Sequence, residues 1–385
     1  MSNILTALAP TLFSAANQVA AEPFGVINAM RTDFDSKGVA VNIDEQSGTT
    51  APVVKVPVAP TRTESDWSPS MTTTAGTDGT ATTVDVSIDY SKHVSWNFMG
   101  EELRVLENGD NRNEYVSQLI MEGMRGLRNP AEIRAAAAIK IGASRAFGTA
   151  GTTPFASDLS ALTNARKILQ DNGAPLTDLQ FVGNTACGLN LRNLGIIQQA
   201  YQAGSASERR SGTLERQFGF QINESAGIAV HTKGTGASYL ANGAVAVGGT
   251  DITVDTGSGT IIPGDVLTYA ADSTNKYVVG TALAANVVKI NKPGALVAIP
   301  DNNALTVGNN YTANLAFERS AVIAVFRPPI IPQGNGSMTQ RLITDKFGMT
   351  YLLVQIVGDG MITWRLHICY GFKVINPQFV ALVLG

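Results

Sequence analysis

The chain has 385 residues, of which 44% are hydrophobic and 15% charged, with 28 basic and 31 acidic side chains and a formal charge of −3. That length calls for two or three folding units with real cores, and the near-neutral balance excludes the electrostatic footprint of a dedicated nucleic-acid binder. The charged fraction is well below the usual quarter, which suggests a surface partly covered by other subunits.

Cys187 and Cys369 stand far apart, so no disulfide framework is expected. The first residues, "MSNILTALAPTLFSAANQVAAEPFG", carry no basic stretch and do not read as a secretory signal. No apolar run reaches the length of a membrane span; the best candidate, 321–326, is short and bracketed by Arg319 and Arg327. The expectation is a chain made and used in a reducing cytoplasm, with no membrane partner.

In chain order, residues 3–30 follow a mostly helical period interrupted by Pro10 and Pro23, with Leu5, Leu8, Leu12 and Phe13 as one stripe. The segment reads as an arm that needs a surface to lie against. "APVVKVPVAP" (51–60) reads as an edge strand, because a proline cannot donate to a ladder. "TTVDVSIDYSKHVSWNF" (82–98) is the longest alternating pattern, with Val84, Val86, Ile88, Tyr90, Val94, Trp96 and Phe98 on one face, broken only by Lys92. As one strand it would reach about 50 Å at ~3.3 Å per residue. A ribbon that long is expected to project and lean on another chain. The connection 61–81 is long enough to be a functional loop. Trp67 within it is a candidate interface anchor, and Arg62, Lys92 and Trp96 are further candidate subunit contacts, with Trp96 expected to pack at the ribbon base.

"NRNEYVSQLIMEGMRGLR" (111–128) places Tyr115, Leu119, Met124 and Leu127 near one helical face. In "NPAEIRAAAAIKIGASRAF" (129–147), Asn129 as cap, Pro130 in the first turn and Glu132 three after the cap read as a fresh helix start. Either one helix is kinked at Pro130 or two helices abut there. "SDLSALTNARKILQDNGAP" (157–175) predicts a helix capped by Ser157, striped by Leu159, Leu162, Ile168 and Leu169, and stopped by Asn172-Gly173. A short strand (178–183) and another helix (184–204) follow. The loop "SASERRSGTLERQ" carries Glu208, Arg209, Arg210, Glu215 and Arg216, which read as a solvated loop or subunit salt-bridge patch in preference to a phosphate site. Over 232–314 glycine-rich turn signals recur without any helical stripe, predicting an inserted small β-barrel or sandwich. "MTYLLVQIVGDGMITWRLHICYGF" reads as two strands joined at Gly358-Asp359-Gly360.

Motifs for chemistry fail one by one. The glycine pairs Gly234/Gly236, Gly257/Gly259 and Gly334/Gly336 lack the third glycine of a dinucleotide fingerprint, and Gly183/Gly188 has Leu189 and Asn190 where a P-loop needs Lys and Ser or Thr. No G-x-S-x-G elbow occurs. At 110–115 Arg112 stands where a calcium loop needs an acid or amide. His93, His231 and His367 are scattered, so a histidine-based metal site would have to be assembled from distant segments. His367 and Cys369 share a strand face, but residues two apart lie roughly 6.5–7 Å apart along a strand, too far for an easy thiol–imidazole bond. No enzyme, cofactor or metal is expected.

Several stretches carry a resemblance: "ILTALAPTLFSAANQVAAEPFGVINAM", "FGTAGTTPFASDLSALTNARKILQDNGAP", "LGIIQQAYQAGSASERRSG", "FGFQINESAGI", "GDVLTYAADSTNKYVV" and "YGFKVINPQFVAL". They resemble the major coat proteins of short-tailed Salmonella-type phages and related prophages, in number and order rather than through one motif. The resemblance implies an α+β tailed-phage capsid fold of the Hong Kong 97 type plus an inserted all-β domain. It would divide the chain into an N-terminal arm (1–45), an extended β-hairpin loop (46–98), a peripheral domain with a long spine helix (99–150), an axial domain (151–228), the inserted domain (229–318) and closing strands (319–385). Asn129-Pro130 departs from an unbroken spine helix. The implied role is a major capsid protein found in the virion and assembled in the host bacterial cytoplasm. Its implied partners are many copies of itself, scaffolding protein, portal protein and weakly, non-specifically held double-stranded DNA. A cellular nanocompartment shell on the same fold is the alternative.

Overall fold

Pro10 lies in the first turn of helix α1 (Ala9–Ala20), where a missing N–H costs nothing. The computed structural model describes residues 9–22, 24–32, 53–58, 82–102, 112–195, 216–329, 331 and 338–385. In α1 Leu12, Ala16 and Val19 are buried at helical spacing, whereas Phe13, expected on the same stripe, is 50% exposed; Leu5 and Leu8 fall outside the described residues. Helix α2 (Gly25–Ala29) and the short strand β1 (Arg31–Thr32) follow. The surface expected for this arm is the chain's own core, which takes in Leu12, Ala16, Val19, Val26 and Ile27.

Strands β2 (Val53–Val58) and β3 (Thr82–Ser87) pair antiparallel as a two-stranded sheet. The alternation of 82–98 is not one strand. It breaks at Ile88-Asp89, and β4 (Tyr90–Met99) joins a different sheet. The apolar parity survives the break, with Val86, Ile88 and Phe98 all buried. The described base of the hairpin folds back over its own chain, where Val54, Val56, Val86 and Ile88 pack with Ile323, Val325 and Cys369. Gly371 permits this crossing, since a Cβ there would collide with the carbonyl oxygen of Ser87.

Helix α3 (Arg112–Gly142) is continuous over 31 residues, about 46 Å at ~1.5 Å each. It passes through Pro130, so neither a fresh start nor an Asn129 cap exists there. Proline removes the donor for the carbonyl of Gly126; Gly126, Asn129 and Pro130 are all exposed, which leaves that carbonyl to water. The opposite face buries Ile120, Met124, Leu127, Ala131, Ala135 and Ile139.

Beyond β5 (Arg145–Phe147), α4 (Ser160–Asp171) has Leu159 as its N-cap residue, and Asp158 rather than Ser157 accepts the Ser160 N–H at 2.8 Å. It stops as expected at Asn172 and Gly173, whose φ is +76°. Strand β6 (Leu179–Gly183) is buried throughout and leads into α5 (Thr185–Asn193), capped by Asn184, whose side chain accepts the Cys187 N–H. Strands β7 (Phe220–Glu224) and β8 (Val230–His231) lead to the β-rich stretch.

That stretch contains β9 (Tyr239–Ala241), β10 (Asp251–Asp255), β11 (Val266–Tyr269), β12 (Asp272–Ala284), β13 (Val287–Ile290) and β14 (Ala304–Val307). Their order β11-β14-β9-β10-β13-β12, with β11 also paired to β12, closes a six-stranded barrel. Its core runs from Tyr239 to Val307. Strand β15 (Tyr311–Glu318) lies within the range expected for the insert, yet it pairs with β6 and with the terminal strand β20 (Val380–Leu384) in the central sheet. The order there is β12-β5-β20-β15-β6-β7, so the barrel continues the central sheet through β12 and β5. α4 and α5 cover this sheet, burying Leu162, Leu169, Phe181, Cys187, Leu191 and Val383 together.

The second sheet has β16 (Val322–Arg327), β17 (Met338–Thr344), β18 (Thr350–Val357) and β19 (Met361–Val374) in the order β1-β16-β19-β18-β17, with β4 also paired to β19. β18 and β19 form the expected hairpin, closed by Gly358 N–H to Met361 O at 2.9 Å.

Candidate assembly surfaces

Cys369 is buried and its Sγ donates to Ser91 Oγ at 3.4 Å rather than to an imidazole. His367 faces His93 across the ladder. Among the described residues no group of three or more His, Cys, Asp or Glu is placed to hold a metal, and no helix is long and apolar enough to cross a membrane.

The sequence-predicted contact residues divide sharply. Arg62, Trp67, Glu208, Arg209 and Arg210 lie outside the described residues. Lys92 is exposed on β4. Trp96 is half-buried at the ribbon base, its ring centroid 6.4 Å from that of Trp364. Gly123 of α3 makes room for it, since a Cβ there would stand 3.1 Å from the indole. Arg216 is exposed but engaged, donating to Gly219 O at 2.8 Å and Thr177 O at 2.6 Å, so it ties a turn to its own domain.

The most developed polar site holds the arm to α3. Arg125, Arg128 and Glu132 recur at spacings of three and four and so share one helix face. Arg125 Nε donates to Glu22 at 2.7 Å. Arg128 is fully buried; it donates to Asp345 at 2.9 Å and Asn28 at 2.5 Å, and its guanidinium lies 4.6 Å from the Phe24 ring centroid. Glu132 accepts the backbone N–H of Val26 at 2.6 Å, that of Ile27 at 2.9 Å and the Ser225 hydroxyl at 2.7 Å. The short α2 has no side-chain cap of its own, and this distant carboxylate satisfies its orphan N–H groups. Arg319 closes the site by donating to the carbonyls of Met30 and Asn28. Burial pushes the Glu132 carboxyl up, opposed by its three donors and by Arg128. Burial likewise raises Asp345, opposed by Arg128 and the N–H groups of Met349 and Phe347. Glu132, expected as a local capping-box residue, is instead a long-range cap. The legible signal was two charges four apart on an otherwise apolar helix face.

A second polar chain fixes the barrel. Lys140 Nζ donates to His231 Nδ1 at 3.1 Å, and His231 Nε2 donates to Asp265 at 2.9 Å. The network sets this tautomer. Asp265 is fully buried and also accepts the N–H groups of Gly234 and Ile262. Burial lowers the Lys140 ammonium. Asn291 of the barrel donates to Ile141 O and Ala143 O, both at 2.7 Å, capping the C-terminal end of α3. Each group is spent on holding helix, sheet and barrel together.

No family model matches the chain and no curated protein matches it in sequence. Among solved structures, a chain of Mycobacterium phage Che8 is similar at 16% identity and a TM-score of 0.47, over 93% of this chain and 90% of that one. The capsid structure of the cyanophage P-SCSP1u is similar at 12% identity and a TM-score of 0.44, over 86% of this chain and 83% of that one. The virus-like particle from Pyrococcus furiosus is similar at 8% identity and a TM-score of 0.41, over 97% of this chain and 98% of that one. With scores this low, the functional reading rests on the chain's own residues and layout.

Proposed function

We propose that the chain is a major capsid protein, a subunit that self-assembles in many copies into the icosahedral shell of a tailed bacteriophage or prophage. The observation that carries this is the order of parts: an arm, a hairpin, a long helix laid across a sheet, a second sheet with helices, and a barrel inserted before the closing strands. The coat-protein resemblance of the sequence implies the same order of parts. The polar sites support the reading, because their charges lock structural parts to one another. Scaffolding protein, portal and packaged double-stranded DNA complete the proposal, and a formal charge of −3 suits a shell that does not grip its genome through many phosphate contacts.

In this reading 1–45 is the arm, 46–98 the extended loop, 99–150 the spine-helix region, 151–228 with 319–385 the axial body and the closing strands, and 229–318 the insert, its barrel ending at β14. Trp67, Arg62 and the 208–210 charges belong to subunit contacts. Deleting the tip of 61–81 is the test: the chain should stay folded by circular dichroism but lose shells in a sucrose-gradient sedimentation assay. Undiminished shell yield would refute a reaching loop.

A further inference from the structure

The fold does what the scattered sequence positions argued against: it brings two of the three histidines together. His93 on β4 and His367 on β19 stand directly opposite each other in the ladder. Their ring centroids are 5.3 Å apart and their planes 31° from parallel. Directly opposed residues on antiparallel strands have Cβ atoms about 4.5–5.5 Å apart, close enough for two imidazoles to turn toward one point between them. His367 Nε2 is buried with no hydrogen-bond partner among the described residues. Buried polar atoms left in that state are uncommon, and an unplaced ion is one of the accepted explanations. His93 is exposed, which gives an ion a way in.

We propose that His93 and His367 form a two-imidazole site for a divalent transition ion of the nickel–copper–zinc group, with water completing the coordination. Imidazole ligands without carboxylates favour these ions over magnesium or calcium. The thiol of Cys369 is engaged with Ser91, so it supplies no third ligand. Arg365 repels the cation and limits the affinity without blocking the approach from the His93 side. Bound there, the ion pins the hairpin's base strand β4 to β19. Nothing in this site depends on shell assembly, so it goes beyond the capsid reading.

The full-length unassembled chain is titrated with ZnCl₂ by calorimetry in a non-chelating buffer. About one ion should bind per chain, and His93→Gln or His367→Gln should each weaken binding about a hundredfold or more, beyond the roughly 10–100-fold range for losing a group that merely supports a ligand. With histidine rings isotopically labelled, NMR should show three ring signals, two of which move with zinc while the His231 signal stays. This second readout needs no variant and holds even if a substitution disturbs folding. Zinc that moves no ring signal, or only one, overturns the proposal, as does wild-type affinity in a folded His93→Gln chain. A chain that binds zinc but never forms shells would sink the capsid reading alone.

Discussion

Glu132 offers the sharpest test of how the arm is held. Replacing it with alanine strands two buried backbone N–H groups and one hydroxyl, at about 1–3 kcal/mol for each unsatisfied group. The site opens to a cleft lined by Glu22, Phe24, Asn129, Ile133 and Gly227, through which water reaches the orphaned donors. The low end therefore applies, and Glu132→Ala should cost about 2–4 kcal/mol. Urea unfolding measures this, and limited proteolysis should show the arm cut first, because a locally released segment opens below the global free energy. The pH dependence follows from the raised carboxyl. Between its folded value and the ordinary 4.5, the native state holds a proton that the unfolded chain has released. Stability from this group therefore rises as pH falls through the folded value, and levels off below the unfolded one. Glu132→Gln cannot take up that proton, so the wild type should gain on it as the solution is acidified. Asp345 is common to both chains and cancels. A loss under about 0.5 kcal/mol in Glu132→Ala, the size of an ordinary surface change, would refute the long-range cap.

Trp96→Ala should destabilise by about 2–3 kcal/mol, less than a fully buried tryptophan because the ring is half-exposed, and thermal unfolding followed by circular dichroism reads it. Both cysteines should resist a disulfide reagent in the native chain and react on unfolding; burial pushes the Cys187 thiol up to about 12, so raising the pH from neutral to weakly alkaline should leave its native rate low. Fast native labelling of either would contradict the burial. The barrel, expressed without β15, should give a β-type circular dichroism spectrum, since its ring of strands closes on itself and its core is its own; a coil spectrum would show that it needs the central sheet.

Side-chain parity and stop signals were readable from the sequence, and long-range partners were not. The faces of 82–98, the Asn172-Gly173 stop, the Gly358–Gly360 hairpin and the turn-rich β unit follow from local rules of spacing and turn chemistry. The break at Ile88-Asp89 left no trace because both strands keep the same parity across it. Pro130 misled because the carbonyl it strands is exposed to water, so the helix runs on. Strand β15 fell within the range given to the insert because that boundary, 229–318, came from the resemblance, with no local signal between β14 and β15. What separates them is the pairing with β6 and β20, which no local pattern records. The meetings of Glu132 with α2, of Lys140 with His231, and of His93 with His367 are products of the fold alone.

Electron microscopy of the full chain, expressed alone and with the scaffolding protein proposed for it, decides whether it is a shell subunit. Closed, uniform shells are expected, whereas only monomers or irregular aggregates from folded chain would rule the capsid role out.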